Sequence, residues 1–152
     1  AKVTRIEGEV YEYVCANDME KMWQEGDVLH IRNFQHTNFD VSDTPELNGV
    51  ITTMADAEIN LKNGNTSIRG TMSIKPYTID GTWEGTWTFI ANKGVTRGYA
   101  VGHGTGELSG KQIFLYLYDA PYDPEGTAAM CAGIGDPESN GYTVAYILDT
   151  NK

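Results

Sequence analysis

The sequence predicts an all-β domain, eight antiparallel strands closing as an up-and-down barrel, and three observations carry that expectation. Between Thr82 and Phe89, Trp83, Trp87 and Phe89 share one parity while Thr82, Glu84, Thr86 and Thr88 share the other. A period of two is what a strand with one buried face produces. Turn-forming residues then recur at hairpin spacing, with seventeen glycines against five prolines. Finally, no strand pattern alternates with a helical one, so a parallel α/β sheet is excluded. Eight such strands in sequence order close most simply as a barrel, which removes exposed edges. A sandwich with one long crossover is the alternative.

Taken in order, the first strand is read from about Val3 to Val14, with Ile6, Val10 and Val14 at even spacing. Asn17 to Trp23 predicts a short helical turn, with Asn17 as N-cap and Glu20 three residues on, as in a capping box. Gly26-Asp27 returns the chain to a long strand from Val28 to Val41, in which Phe34 breaks the alternation and marks a bulge or bend. A loop over Ser42–Asn48 holds Pro45, a third strand spans Gly49–Leu61, and Asn63-Gly64 predicts a tight hairpin turn. Thr66–Tyr77 alternates most clearly, with Ile68, Met72 and Ile74 on one side. Asp80-Gly81 leads into the tryptophan strand, and Asn92-Lys93-Gly94 into Val95–His103. After Gly104-Thr105-Gly106 come a strand over Gly110–Tyr118, a long loop with Pro121, Pro124, Pro137 and the small-residue run Gly126–Gly135, and a last strand over Tyr142–Asp149.

A chain of 152 residues makes one domain with a sizeable core, 1–152 throughout, without an internal repeat or linker. Its formal charge of −10 argues against nucleic acid or an anionic membrane as partner, since both demand basic patches. No apolar run has the length of a membrane span. The opening at Ala1-Lys2, without methionine, is what a processed mature form has and favours a secreted or periplasmic location over a cytoplasmic one; an engineered chain would open the same way. Cys15 and Cys131 are either a disulfide, which would stabilise the fold by about 3–5 kcal/mol, or two buried thiols. Asn65-Thr66-Ser67 satisfies a glycosylation sequon of a kind common by chance.

The stretch GHGTGELSGKQIFLYL, following GTWEGTW and a turn, resembles the glycine-patterned hairpin of allene oxide cyclase-like and dirigent-like barrel proteins, and of bacterial barrel proteins of unknown function in that superfamily. Gly104, Gly106, Leu108 and Gly110 are the matching positions, with Gly102 before them. The resemblance covers about thirty residues. It implies a central cavity for an apolar or conjugated small molecule and chemistry of the cyclase, isomerase or lyase kind without a cofactor. No catalytic residue of the plant cyclases matches this chain, so none is carried over.

Strand parity supplies the candidate site. From Val95 to His103 the bulky residues Val95, Tyr99 and Val101 share a face with Arg97 and His103, opposite Thr96, Gly98, Ala100 and Gly102. With the bulky face inward, Arg97 anchors an anion, and His103 or Tyr99 moves a proton. Trp83, Trp87 and Phe89, with Tyr142 and Tyr146 of the last strand, then complete an aromatic box. That box suits a hydrophobic or aromatic, anionic ligand, which either an enzyme or a non-catalytic carrier would hold. With the glycine-rich face inward instead, the interior is packed and the aromatics meet water or a partner subunit in a homo-oligomer.

His30, Arg32, His36 and Asp40 share one parity of the second strand, and His30 and Arg32 are candidate ligand contacts. The spacing of His30, His36 and His103 requires no metal site. Asp119, Asp123, Glu125, Asp136 and Glu138 lack the spacing of a calcium loop and read as a solvated rim. Glu84 and Glu107 are general bases only if they face inward, and the tryptophan parity turns Glu84 outward. No nucleophile elbow or phosphate loop is present, and no cofactor is called for.

Overall fold

Period-two patterning becomes extended backbone almost throughout the computed structural model, which describes residues 1–11, 19–118 and 141–151. The strands are β1 (Lys2–Tyr11), β2 (Lys21–Glu25), β3 (Val28–Val41), β4 (Gly49–Asn60), β5 (Thr66–Pro76), β6 (Trp83–Asn92), β7 (Val95–Gly104), β8 (Lys111–Tyr118) and β9 (Gly141–Asp149), with one 3-10 turn at Gly106–Leu108. They form one antiparallel sheet of nine strands in the order β1-β9-β8-β7-β6-β5-β4-β3-β2. β1 also pairs with β3, through Glu9–Val41, Val10–Asp40 and Tyr11–Phe39. Cys15, Asn17, Cys131, the prolines and acidic residues expected between β8 and β9, and the Gly126–Gly135 run lie outside the described residues.

Two expectations are corrected. The strand count is nine, and the extra strand stands where a helical turn was expected: Lys21–Glu25 pairs with β3 from Lys21–Arg32 to Glu25–Val28. Gly26, at φ 60°, makes the tight reversal that a non-glycine residue adopts only with strain. The Trp23 ring then stacks on His30 at 4.7 Å. A ladder plus an aromatic pair outweighs the modest helical preference of five residues. The expected turn at Asn63-Gly64 is also wider: the Asn60 N–H donates to Asn65 O at 2.8 Å, closing the hairpin over Leu61–Asn65.

The bulge expected near Phe34 is present. β3 pairs Ile31 with Ala57 but Phe34 with Ala55, so β3 carries one extra residue. Asn33 takes it up at φ 50°, its N–H donating to Asp56 Oδ1 at 3.0 Å. Asparagine tolerates this left-handed conformation because its side chain bonds locally. A one-residue slip reverses every later side chain. His30 therefore faces outward, whereas His36 faces inward.

The core gathers Ile6, Ile51, Met72, Ile74, Trp83, Ala100, Ile113, Leu115, Ala145 and Ile147 from seven strands, with Leu47 and Leu108 added from connecting segments. Trp83 is fully buried, and its indole N–H donates to Glu46 O at 2.8 Å, so one end is both dense and polar-satisfied. The glycine-patterned hairpin seals that end. Gly106 and Gly110 have φ of 57° and 80°, and the 3-10 turn between Thr105 and Ser109 drives Leu108 into the core.

Candidate functional site

β7 decides where a site lies. Its small residues Gly98, Ala100 and Gly102 are buried, while Val95, Arg97, Tyr99, Val101 and His103 are exposed. The inward-facing expectation for Arg97, Tyr99 and His103 is therefore corrected. The reason is volume. A Cβ on Gly102 would lie 3.0 Å from Met72 Cε, and one on Gly98 3.3 Å from Leu117 Cβ. Neighbouring strands already fill the space before β7, so the small face packs inward.

The last strand is corrected likewise. Thr143, Ala145 and Ile147 are buried, and Tyr142 and Tyr146 lie outside at 40% and 36% exposure. They join a surface pair, Arg5 and Glu7. Hydrogen bonding to Tyr142, then to Arg5, holds the Glu7 carboxyl below the usual carboxylate range and raises the Tyr142 phenol. Tyr116 meets Tyr146 edge to face at 6.5 Å on the same face. Of the expected aromatic box, only the β6 residues point inward: Trp83 is buried, and Trp87 and Phe89 are partly so.

His30 and Arg32 come together, but outside. His30 Nδ1 faces Glu58, and Arg32 Nη2 donates to Glu58 Oε1 at 2.6 Å. The Arg32 guanidinium carbon and Lys21 Nζ lie 5.0 Å and 4.6 Å from the Trp23 ring centroid. This cluster ties the β2–β3 hairpin to β4 and is separate from the interior. Glu84 also faces outward, its Oε1 accepting from Ser73 and Thr82 at 2.8 Å each.

The interior holds a different constellation. A small apolar cavity is lined by Ile51, Thr53, Met72, Ile74, Trp87, Gly98, Tyr99, Ala100, Leu115, Leu117 and Thr143. His36, 4% exposed, adjoins it through two of these residues. Its Nδ1 lies 2.9 Å from Thr53 Oγ1, and its ring meets Trp87 edge to face at 5.3 Å. Phe34 stacks on His36 at 5.3 Å. Burial without a charged neighbour pushes the His36 pKa down to about 4, since a dry interior disfavours the imidazolium.

Three polar atoms here are buried without a hydrogen-bond partner among the described residues: His36 Nε2, Trp87 Nε1 and Thr143 Oγ1. Buried polar groups are almost always paired, and three orphans around one cavity need a reason. The buried polar side chains among the described residues are His36, Thr53 and Thr143, and none of the described residues that line the space is a carboxylate, lysine, arginine or histidine. No group of three or more His, Cys, Asp or Glu that could hold a metal occurs among them.

Parity reasoning missed His36, Thr53 and Thr143. For His36 the signal was present: Phe34 breaks the alternation, and beyond that break His36 shares the face of an apolar residue. Thr53 and Thr143 left no such trace, because threonine is ordinary on either face of a strand. No helix among the described residues is long and apolar enough to cross a membrane. Compared with known proteins, the chain matches no family model, no curated protein and no solved structure.

Proposed function

We propose that the sheet closes as an eight-stranded barrel, β1 meeting β3 with β2 laid on outside it, and that the protein binds a small apolar molecule in the interior. The observation that carries this reading is the apolar cavity with the unpaired Trp87 Nε1 and Thr143 Oγ1 on residues of its wall and the unpaired His36 Nε2 beside it. A packed structural barrel has no use for three unsatisfied polar atoms, each of which opposes folding by about 1–3 kcal/mol. Binding sites, by contrast, are apolar with a few convergent polar groups. The β1–β3 ladder supports closure, and the resemblance of the Gly104–Gly110 hairpin to allene oxide cyclase-like and dirigent-like barrels is in keeping with it.

The test is a titration of the 13C-labelled methyl groups of Met72, Leu115 and Leu117 with 2-methyl-1-butene, a small apolar probe. Saturable shifts confined to these interior methyls support the reading. Shifts that never saturate, or none, refute it in favour of a packed interior.

One observation favours a second reading, in which the interior turns its ligand over as a cofactor-independent cyclase, isomerase or lyase. His36 is a neutral imidazole with an unpaired ring nitrogen beside the cavity, able to give or take a proton. Arg97 and His103 lie on the outer face, and Tyr99, exposed there too, also lines the cavity. A ligand found by the titration is incubated with the wild type and with His36→Phe. Conversion by the wild type alone, with binding kept in both, identifies an enzyme, and unchanged ligand in both identifies a carrier.

A further inference from the structure

We infer that the interior site is built for a neutral carbonyl oxygen, that of a ketone, aldehyde or ester on an apolar molecule, which accepts from Trp87 Nε1–H, with the Thr143 hydroxyl as the second polar group. This rests on the reading that the interior binds a small apolar molecule, and it adds the chemistry of that molecule's polar end.

The argument is a count of donors. An indole nitrogen only donates. His36 does not line the cavity, and Thr53 Oγ1, 2.9 Å from its Nδ1, either donates to that nitrogen or accepts from it and donates to the His36 carbonyl oxygen at 3.5 Å. The Thr143 hydroxyl serves as donor or acceptor. The unpaired atoms on residues of the cavity wall are therefore one obligatory donor and one adaptable group, which calls for an acceptor.

Charge narrows the class. A carboxylate or phosphate entering this space would lose its hydration and meet no lysine or arginine among the described residues that line it. Arg97, the cation expected to hold an anion, is exposed on the far side of β7. Size narrows it further. The cavity is small, so a compact polar end such as a carbonyl with its attached carbons suits it better than an extended polar chain. Gly98 and Tyr99 line both this cavity and an outer groove with Arg97 and Tyr116, so a longer molecule has a route outward there.

The experiment compares three probes of similar size by NMR on the intact chain: 2-butanone, 2-methyl-1-butene and isobutyrate. In the first two, C=O and C=CH2 are near-isosteric, so their difference reads the hydrogen bonds. The ketone is expected to bind about tenfold more tightly than the alkene, to move the Trp87 indole N–H signal downfield, and to outcompete isobutyrate. Trp87→Phe should remove most of the ketone's advantage over the alkene, and Thr143→Val checks the second group without touching a ring. Equal binding of ketone and alkene overturns the carbonyl assignment and leaves the cavity standing. Preference for isobutyrate overturns neutrality. Failure of all three overturns the binding reading itself.

Discussion

Lowering the pH from 7 to 4 should destabilise this protein through one side chain, His36. Burial penalises the charged ring and pushes its pKa down from the usual 6.5 to about 4. Among the described residues its contacts are Phe34, Thr53 and Trp87, none of them ionised. Between those two values the unfolded chain binds a proton that the folded chain refuses, so stability falls as pH drops through the window. The contribution is complete above pH 6.5 and fully lost below about 4. A gap of that size, at about 1.4 kcal/mol per pH unit, amounts to roughly 3 kcal/mol. The assay is urea unfolding of the wild type and His36→Phe at steps from pH 7 to pH 4. Phe keeps the ring stack with Phe34 and Trp87 and removes the titration. The stability difference between the two proteins should shift by about 3 kcal/mol in favour of the variant, while carboxylates common to both cancel. A direct imidazole titration by NMR accompanies it. Parallel pH profiles, or a His36 ring titrating near 6.5, would refute the dry interior on which the site depends.

Other outcomes follow from the same geometry. Trp83→Phe leaves the Glu46 carbonyl without its indole donor and opens space in the densest part of the core, for a loss of about 2 kcal/mol in chemical denaturation. Gly70→Ala places a Cβ onto the Met54 carbonyl oxygen across the β4–β5 ladder, and should lower stability by at least about 2 kcal/mol. Arg97→Ala and His103→Ala, both exposed, should change stability by less than about 0.5 kcal/mol and leave methyl shifts on probe titration unaltered; weakened binding in either would return them to the site. Trp23→Ala removes the surface that His30, Lys21 and Arg32 share, so amides of β2 should exchange with solvent faster while those of β6 stay protected.

What was legible in this sequence is what period-two patterning can carry. β5 shows it best: Met72 and Ile74 share a parity in the chain and a buried face in the fold. The strands β3 to β9 lie within one or two residues of where alternation and turn residues place them. The break at Phe34 announced the bulge. β2 was not legible, because NDMEKMW reads as a helix start when taken alone. Only the neighbouring Val28–Arg32 segment, offering a ladder and His30 for Trp23 to stack on, makes it a strand.

The site divides along the same line. Alternation in the chain separated Gly98, Ala100 and Gly102 from Arg97, Tyr99 and His103, and that separation is real. Which set faces inward was a matter of volume, and volume is shared among strands far apart in sequence. Met72 from β5, Phe89 from β6 and Leu117 from β8 occupy the space before β7, so its glycines turn in and its large residues turn out. In the same way His36 entered the interior through a single extra residue at Asn33, and it meets Thr53 and Trp87 only because β4 and β6 bring them there. By itself, then, the sequence determined the strands, their turns and their two-faced character, since these follow from contacts a few residues apart. The tertiary structure alone decided which face is buried and which polar atoms are left unpaired within it, because packing sums over the whole chain.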